Sequence, residues 1–281
     1  MTIGFIYVAI AMGLTMVYGV LRILHIAHAG VYALGAYAGL TLYLATGNIL
    51  AAGAVAIAAS ITVGYLIQRF VYAPILGRSP LIPLTLSVAV FLLVSEMIGI
   101  VWGYYPIGFH TQIPFTTYFY GEISITSYQV LVIVATLSSV LLVWLLVNRT
   151  RIGLASRAVA QDSEMAQAIG VNVKTVIAFN FIVGSALAGL GGILVGIYYS
   201  QVSPYMGGLV AYKGLVVIVL GGFGSVAGAV LGGLILGISE TLLVSAVGNF
   251  LPRESFAFLV LILLLLFRPQ GLFGRRATDR T

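Results

Sequence analysis

The sequence predicts an all-α, polytopic transmembrane bundle of eight to nine spans, built as a single domain over residues 1–281. Two observations carry this. The chain is 61% hydrophobic and 7% charged, whereas soluble domains carry roughly 25% charged residues. The apolar residues also fall in runs near the roughly 20 residues that a helix needs to cross a bilayer. A soluble fold of this length leaves too much surface in water to hide such a composition. The 34 glycines agree, since glycine is commoner in membrane helices than in soluble ones.

In order, the spans read as Thr2–Leu21, Ala29–Thr46, Ile49–Ile67, Leu81–Val101, Gln129–Val147, Thr175–Tyr198, Leu209–Gly222, Val226–Val247 and Ser255–Phe267. The apolar N-terminus lacks the basic region of a cleavable signal peptide, so it reads as the first span. Between the fourth and fifth spans, Gly121–Tyr128 alternates Ile123, Ile125 and Thr126 and reads as a short hairpin or lid. The seventh and ninth spans are short. The seventh stops at Gly221-Gly222-Phe223-Gly224-Ser225, which predicts a broken or re-entrant segment there. In the sixth, Gly184, Ala188, Gly192 and Gly196 recur every four residues. Such a stripe lets backbones approach where no hydrophobic effect drives helices together. Gly228–Gly232 and Gly233–Gly237 repeat the device in the eighth, and plain packing is the expected use of both.

Eleven of the thirteen basic residues fall on one side when the spans alternate. They are Arg22, Arg69, Arg78, Arg149, Arg151, Arg157, Lys174 and the tail at 268–281 (Arg268, Arg275, Arg276, Arg280). Lys213 and Arg253 are left for the other. Basic loops stay in the cytoplasm, so the C-terminus is expected inside and the N-terminus outside a multi-pass protein of the cell membrane. The opposite side is rich in tyrosine, as an interfacial belt would be. This distribution makes the positive net charge of +6 a matter of membrane anchoring, so nucleic acid is not an expected partner. The absence of cysteine excludes disulfides and thiolate metal sites.

The longest polar stretch, Asn148–Lys174, is the most informative. Leu154–Gln161 forms a helix exposing Arg157 and Gln161. Asp162 or Ser163 caps a second short helix with Glu164 in its first turn. Gly170 stops it, and Asn172 caps the next span. A loop built with a cap, a stop and an alanine-rich body predicts an ordered docking helix.

Within it, Glu164-Met165-Ala166-Gln167-Ala168-Ile169-Gly170 resembles the Glu-to-Gly coupling motif of ABC importer permeases. Arg157–Asp162, Ile169–Val173, Ser185–Gly192 and Val219–Ala229 resemble the permeases of branched-chain amino acid importers. So do Tyr18–Leu21, Ala27-His28 and Leu34–Tyr37, and the resemblance runs from about residue 4 to 272. It implies a translocation path for branched-chain or other aliphatic amino acids. It also implies a second permease subunit, two ATP-binding subunits at the cytoplasmic face and an extracytoplasmic substrate-binding protein. ATP would be hydrolysed by those partners, so the chain is not an enzyme, and no phosphate-binding loop is present in it. Arg157, Gln161, Glu164, Ala166 and Gly170 take the coupling role by this resemblance. His25-Ile26-Ala27-His28-Ala29-Gly30 departs from the family's Asn-Phe-Ala-His-Gly-acid run, and Met165 stands where alanine is usual.

Ionisable groups inside spans are functional candidates, because burying charge in lipid is costly. Glu96 and Glu240 are two, with an interfacial anchor the equal alternative for Glu96 near the outer end of its span; Asn180 is a polar third, and His25, His28, Gly221 and Gly222 complete the expected path. The histidine pair lacks a third ligand, so neither metal nor cofactor is expected. The alternative is an ion-coupled secondary transporter, which uses broken helices and carboxylates near the midplane but needs no docking helix.

Overall fold

In lipid, every backbone N–H and C=O needs a partner from within its own segment, so apolar runs of this length can only coil. The computed structural model describes residues 2–79, 81–111, 116–120, 123–247, 252–268 and 271–272. The helices follow the predicted runs closely. They are α1 (Thr2–Leu21), α2 (His28–Thr46), α3 (Ile49–Ile67), α4 (Leu81–Trp102), α5 (Ser127–Arg149), α8 (Val173–Tyr199), α9 (Met206–Gly221), α10 (Val226–Val247) and α11 (Arg253–Phe267). Two short amphipathic helices, α6 (Arg151–Gln161) and α7 (Ser163–Ala168), fill the polar loop. Among the described residues, seven helices are long and apolar enough to cross a membrane, and Met206–Gly221 and Glu254–Phe267 are shorter apolar ones.

α3 does not end at Ile67. It runs on through a π-turn at Gln68–Tyr72 and a 3-10 turn at Ala73–Ile75. Pro74 offers no N–H, and π-turns mark places where a side chain is re-aimed; here that side chain is Tyr72. Two small antiparallel pairs close the end opposite α6 and α7. β1 (Ile107–Gly108) pairs with β4 (Gln201–Val202), and β2 (Thr117–Tyr120) pairs with β3 (Ile123–Thr126). The hairpin expected at Gly121–Tyr128 starts earlier: its first strand is Thr117–Tyr120, Gly121 and Glu122 lie outside the described residues, and Ser127 and Tyr128 already belong to α5.

α1, α2 and α8 are mostly buried, whereas α3, α4 and α5 turn most of their residues outward. The small-residue stripes make the inner contacts possible. A side chain at Gly184 would overlap the Gly13 carbonyl and Val17, one at Gly192 the Tyr32 carbonyl, and one at Gly196 Phe109 and Val202. On α10, Gly233 and Gly237 lie on Val8 and Gly4 of α1, while Gly228 and Gly232 lie on α9.

Gly221–Ser225 is a break, as predicted, and its form is a tight turn. Gly222 and Gly224 have φ of 94° and 77°, where only glycine is unstrained. Gly221 and Gly228 then close on each other across the α9–α10 hairpin. The backbone that enters the bundle without being helical lies elsewhere, at 22–27 and 200–205. Of the predicted tail, Leu272 donates its N–H to the Leu220 carbonyl at 2.8 Å. Arg275, Arg276 and Arg280 lie outside the described residues.

Candidate functional site

The polar loop holds the two predicted helices, the first starting earlier than expected, at Arg151 rather than Leu154. Thr150 caps α6 through Gly153 N–H at 3.1 Å. Asp162 caps α7, accepting from the N–H groups of Glu164 and Met165 at 3.0 Å each. Gly170 takes a φ of 91° to end the loop, and Asn172 caps α8 through Thr175 N–H. Val159, Ala166 and Val176 pack together beneath the two helices. Arg22, at the end of α1, donates to the carbonyls of Ala160 and Gln161 at 2.9 and 3.1 Å. Asn180 donates to Ser156 Oγ at 2.9 Å, so this polar group ties α8 to α6. Arg157, Gln161, Glu164 and Gly170 are exposed. Ala166 is 2% exposed and supports the surface from below. Leu154, Met165 and Ile169 are over 60% exposed, an apolar surface that an isolated helix pair has no reason to show.

The second feature lies inside the bundle. After α1, residues 22–27 turn back and α2 starts well below the bundle end. Its first residue, His28, lies against Gly13 and the Gly184 region. Gly13 is eight residues before the end of α1, which at 1.5 Å per residue is roughly 12 Å. From the opposite end, Ser200 turns with φ of 57°, 200–205 descend along α8, and α9 starts. The two starts meet: a side chain at Gly207 would overlap the Ala29 backbone. The exposed amides are satisfied locally. Ser87 Oγ accepts from Ala27 N–H at 2.9 Å, and Ala29 and Gly30 donate to Ile26 and Ala27 carbonyls.

His25 and His28 occupy this reversal. Both are at most 4% exposed, and their rings meet edge-on at 5.9 Å. His25 Nδ1 lies 2.9 Å from the Tyr72 hydroxyl, and its ring packs on Phe181. Among the described residues, neither nitrogen of His28 has a hydrogen-bond partner. A cleft of about 20 Å³, enough for a single water, runs past His25 between Leu14, Tyr18, Leu24, Ala211 and Leu215. Among the described residues no three metal-ligating side chains cluster.

Lys213 corrects the sequence reading. Placed at the outer surface by counting, it is 4% exposed within α9. Its Nζ donates to Glu240 Oε1 at 2.6 Å and to the Tyr7 hydroxyl at 2.6 Å. Tyr7 donates to Glu240 Oε2 at 2.5 Å. The three helices α1, α9 and α10 thus share one closed ring of hydrogen bonds. Glu240 is 0% exposed, and burying a carboxylate without a cation is prohibitive. A lysine flanked by apolar residues on both sides, in a run long enough for a helix, was the available signal. Tyr7 and Tyr72 gave none.

Glu96 is exposed on α4, where Oε2 accepts from Tyr104 at 3.0 Å and Oε1 accepts from Tyr205. The hydrogen bond to the carboxylate, with some burial, raises Tyr104 above the usual phenol range, so it stays a donor. The predicted path residues therefore do not form one pocket. His25 and His28 share the reversal, Gly221 and Gly222 form the α9–α10 turn, Glu240 is locked in the triad, and Glu96 stands alone at the opposite end.

A family model described as branched-chain amino acid transport system, permease component, matches residues 1–267. A high-affinity branched-chain amino acid transport system permease protein of Pseudomonas aeruginosa, BraD, is 35% identical over all of this chain and 95% of its own length. The LivH permease protein of the corresponding Escherichia coli K12 system is 33% identical over 99% of this chain and 94% of its own. A probable LivH permease of Methanocaldococcus jannaschii is 27% identical over 95% of this chain and 88% of its own. No solved structure matches.

Proposed function

Because the chain belongs to the branched-chain amino acid transport permease family, we propose that it is the membrane-spanning subunit of an ABC importer for branched-chain or other aliphatic amino acids. It is a transport permease and not an enzyme. The observation that carries the reading is the full-length match to such permeases, and the exposed apolar surface of α6 and α7 supports it.

In this reading α6 and α7 face the cytoplasm and rest on two ATP-binding subunits. Arg157, Gln161, Glu164 and Gly170, with Leu154, Met165 and Ile169, form the contact. Arg22 and Asn180 carry its displacement into α1 and α8. A second permease subunit completes the path, and a substrate-binding protein delivers solute from outside. Alternating helix directions then set the N-terminus outside and the C-terminus in the cytoplasm. Solute passes when the α2 and α9 starts, held by small residues, shift against α1 and α8. Ion coupling is the weaker reading, since Glu240 already has its cation in Lys213.

The test is reconstitution of the permease pair with its ATP-binding subunits and binding protein in liposomes. ATP inside should drive L-leucine uptake that a protonophore leaves intact. Glu164→Arg or Gly170→Pro should abolish uptake and release the ATP-binding subunits on purification. Wild-type uptake by both variants, or collapse of uptake with the proton gradient, sinks the reading.

A further inference from the structure

We propose that Glu96, Tyr104 and Tyr205 form a receptor for the α-ammonium group of the transported amino acid at the outer end of the path. This rests on the importer reading and adds a recognition site to it.

Glu96 is a charge in an apolar setting. Glu96 lies six residues before the end of α4, roughly 9 Å inside it. It shares the outward face of that helix with Leu92, Leu93, Met97 and Ile100, which are 49–71% exposed. A carboxylate in acyl chains costs about 2.5–3.5 kcal/mol on insertion scales, and more by other measures. Six residues from the end of α4, the carboxylate reaches out of the acyl chains, to the interface, to water or to another subunit. The single ion pair among the described residues is Lys213–Glu240, so within them Glu96 has no cation of its own.

The carboxylate is also held in place. Tyr104 and Tyr205 each donate to a different oxygen, which fixes its plane. An ionised carboxylate has about four acceptor positions, so two tyrosine bonds leave room for an ammonium donor. Both phenol rings remain about half exposed, at 52% and 47%, and aromatic faces attract alkylammonium groups. Leu92, Leu93 and Met97 next to it offer an aliphatic side chain an apolar bed. Lysine and arginine are not the intended guests, because a single carboxylate beside aliphatic residues matches one ammonium on a short apolar body.

The site is also joined to the moving parts. Tyr205 directly precedes α9, whose second residue abuts Ala29 at the start of α2. An ammonium bound to Glu96 is thereby linked, through the Tyr205 hydroxyl, to the segment from which α9 hangs.

The experiment uses the complete transporter in liposomes with L-leucine as the probe. Glu96→Gln should lower ATP-driven uptake at least about tenfold, Glu96→Asp should restore a substantial part, and Tyr205→Phe should lower it about threefold. External 3-methylbutylamine, which carries the ammonium without the carboxylate, should inhibit uptake by the wild type and lose that effect in Glu96→Gln. Complexes should assemble in wild-type yield throughout. Glu96→Gln uptake within twofold of wild type, or amine inhibition unchanged by it, overturns the proposal. Loss of assembly overturns it too, and assigns the carboxylate to a basic side chain of a neighbouring subunit. A wild-type complex that takes up no leucine sinks the importer reading itself, a result separable from a silent Glu96.

Discussion

At the scale of single residues, the energetics concentrate in Lys213, Tyr7 and Glu240. Breaking a buried pair by removing one partner costs about 3–5 kcal/mol, whereas replacing both by apolar groups of similar size is often neutral or better. Lys213→Met should therefore strip the protein of most of its detergent-solubilised yield and lower its unfolding temperature, and Lys213→Met with Glu240→Leu should recover both. If the double variant is as unstable as the single one, the ring supplies more than charge balance. Glu240 was readable from sequence as a buried acid needing a partner. Its partner was not, because charge counting assigns Lys213 to the outer side although it falls inside the predicted span Leu209–Gly222.

At the scale of elements, α6 and α7 were the most legible part of the chain and the two re-entrant starts the least. Caps and stops are local chemistry. Asp162, Gly170 and Asn172 announce themselves by type and position, whereas the Thr150 cap comes from the structure. Asp162→Ala should remove about 1 kcal/mol of α7 stability, and Gly170→Ala should strain a backbone at φ of 91°. Both should leave the unfolding temperature of the bundle nearly unchanged and reduce the stimulation of ATP hydrolysis by loaded binding protein. A fall in bundle stability instead would make the platform part of the core. By contrast, 22–27 contains neither glycine nor proline, and only Ser203-Pro204 marks the start of α9. The groups that let α2 begin inside the bundle come from distant segments: Ser87, Tyr72 and Phe181.

At the scale of the whole molecule, hydrophobic runs gave the helix number and the basic residues a direction, since both are properties of the solvent. Which helices lie innermost was not legible, because stripes of small residues do not name their partners. The direction is open to test in a chain without cysteine. Leu154→Cys should react with a membrane-impermeant maleimide only from the cytoplasmic side, and Tyr105→Cys only from the other. Labelling of both from one side would invert the topology.

The backward turn at 22–27 also bears on how the chain is made. Membrane integration proceeds from the N-terminus, yet the neighbours that hold His25 and His28 include Phe181 and Gly184 on α8. When α2 leaves the insertion machinery, those neighbours have not been synthesised. The reversal can settle at its final depth only after α8 arrives, so topology at this point is completed late. Ala27→Cys, at a position buried in the finished protein, should be open to a water-soluble thiol reagent in ribosome-bound chains ending before Val173 and closed in the full-length protein. Protection already present in the short chain would mean that the first half builds this reversal alone.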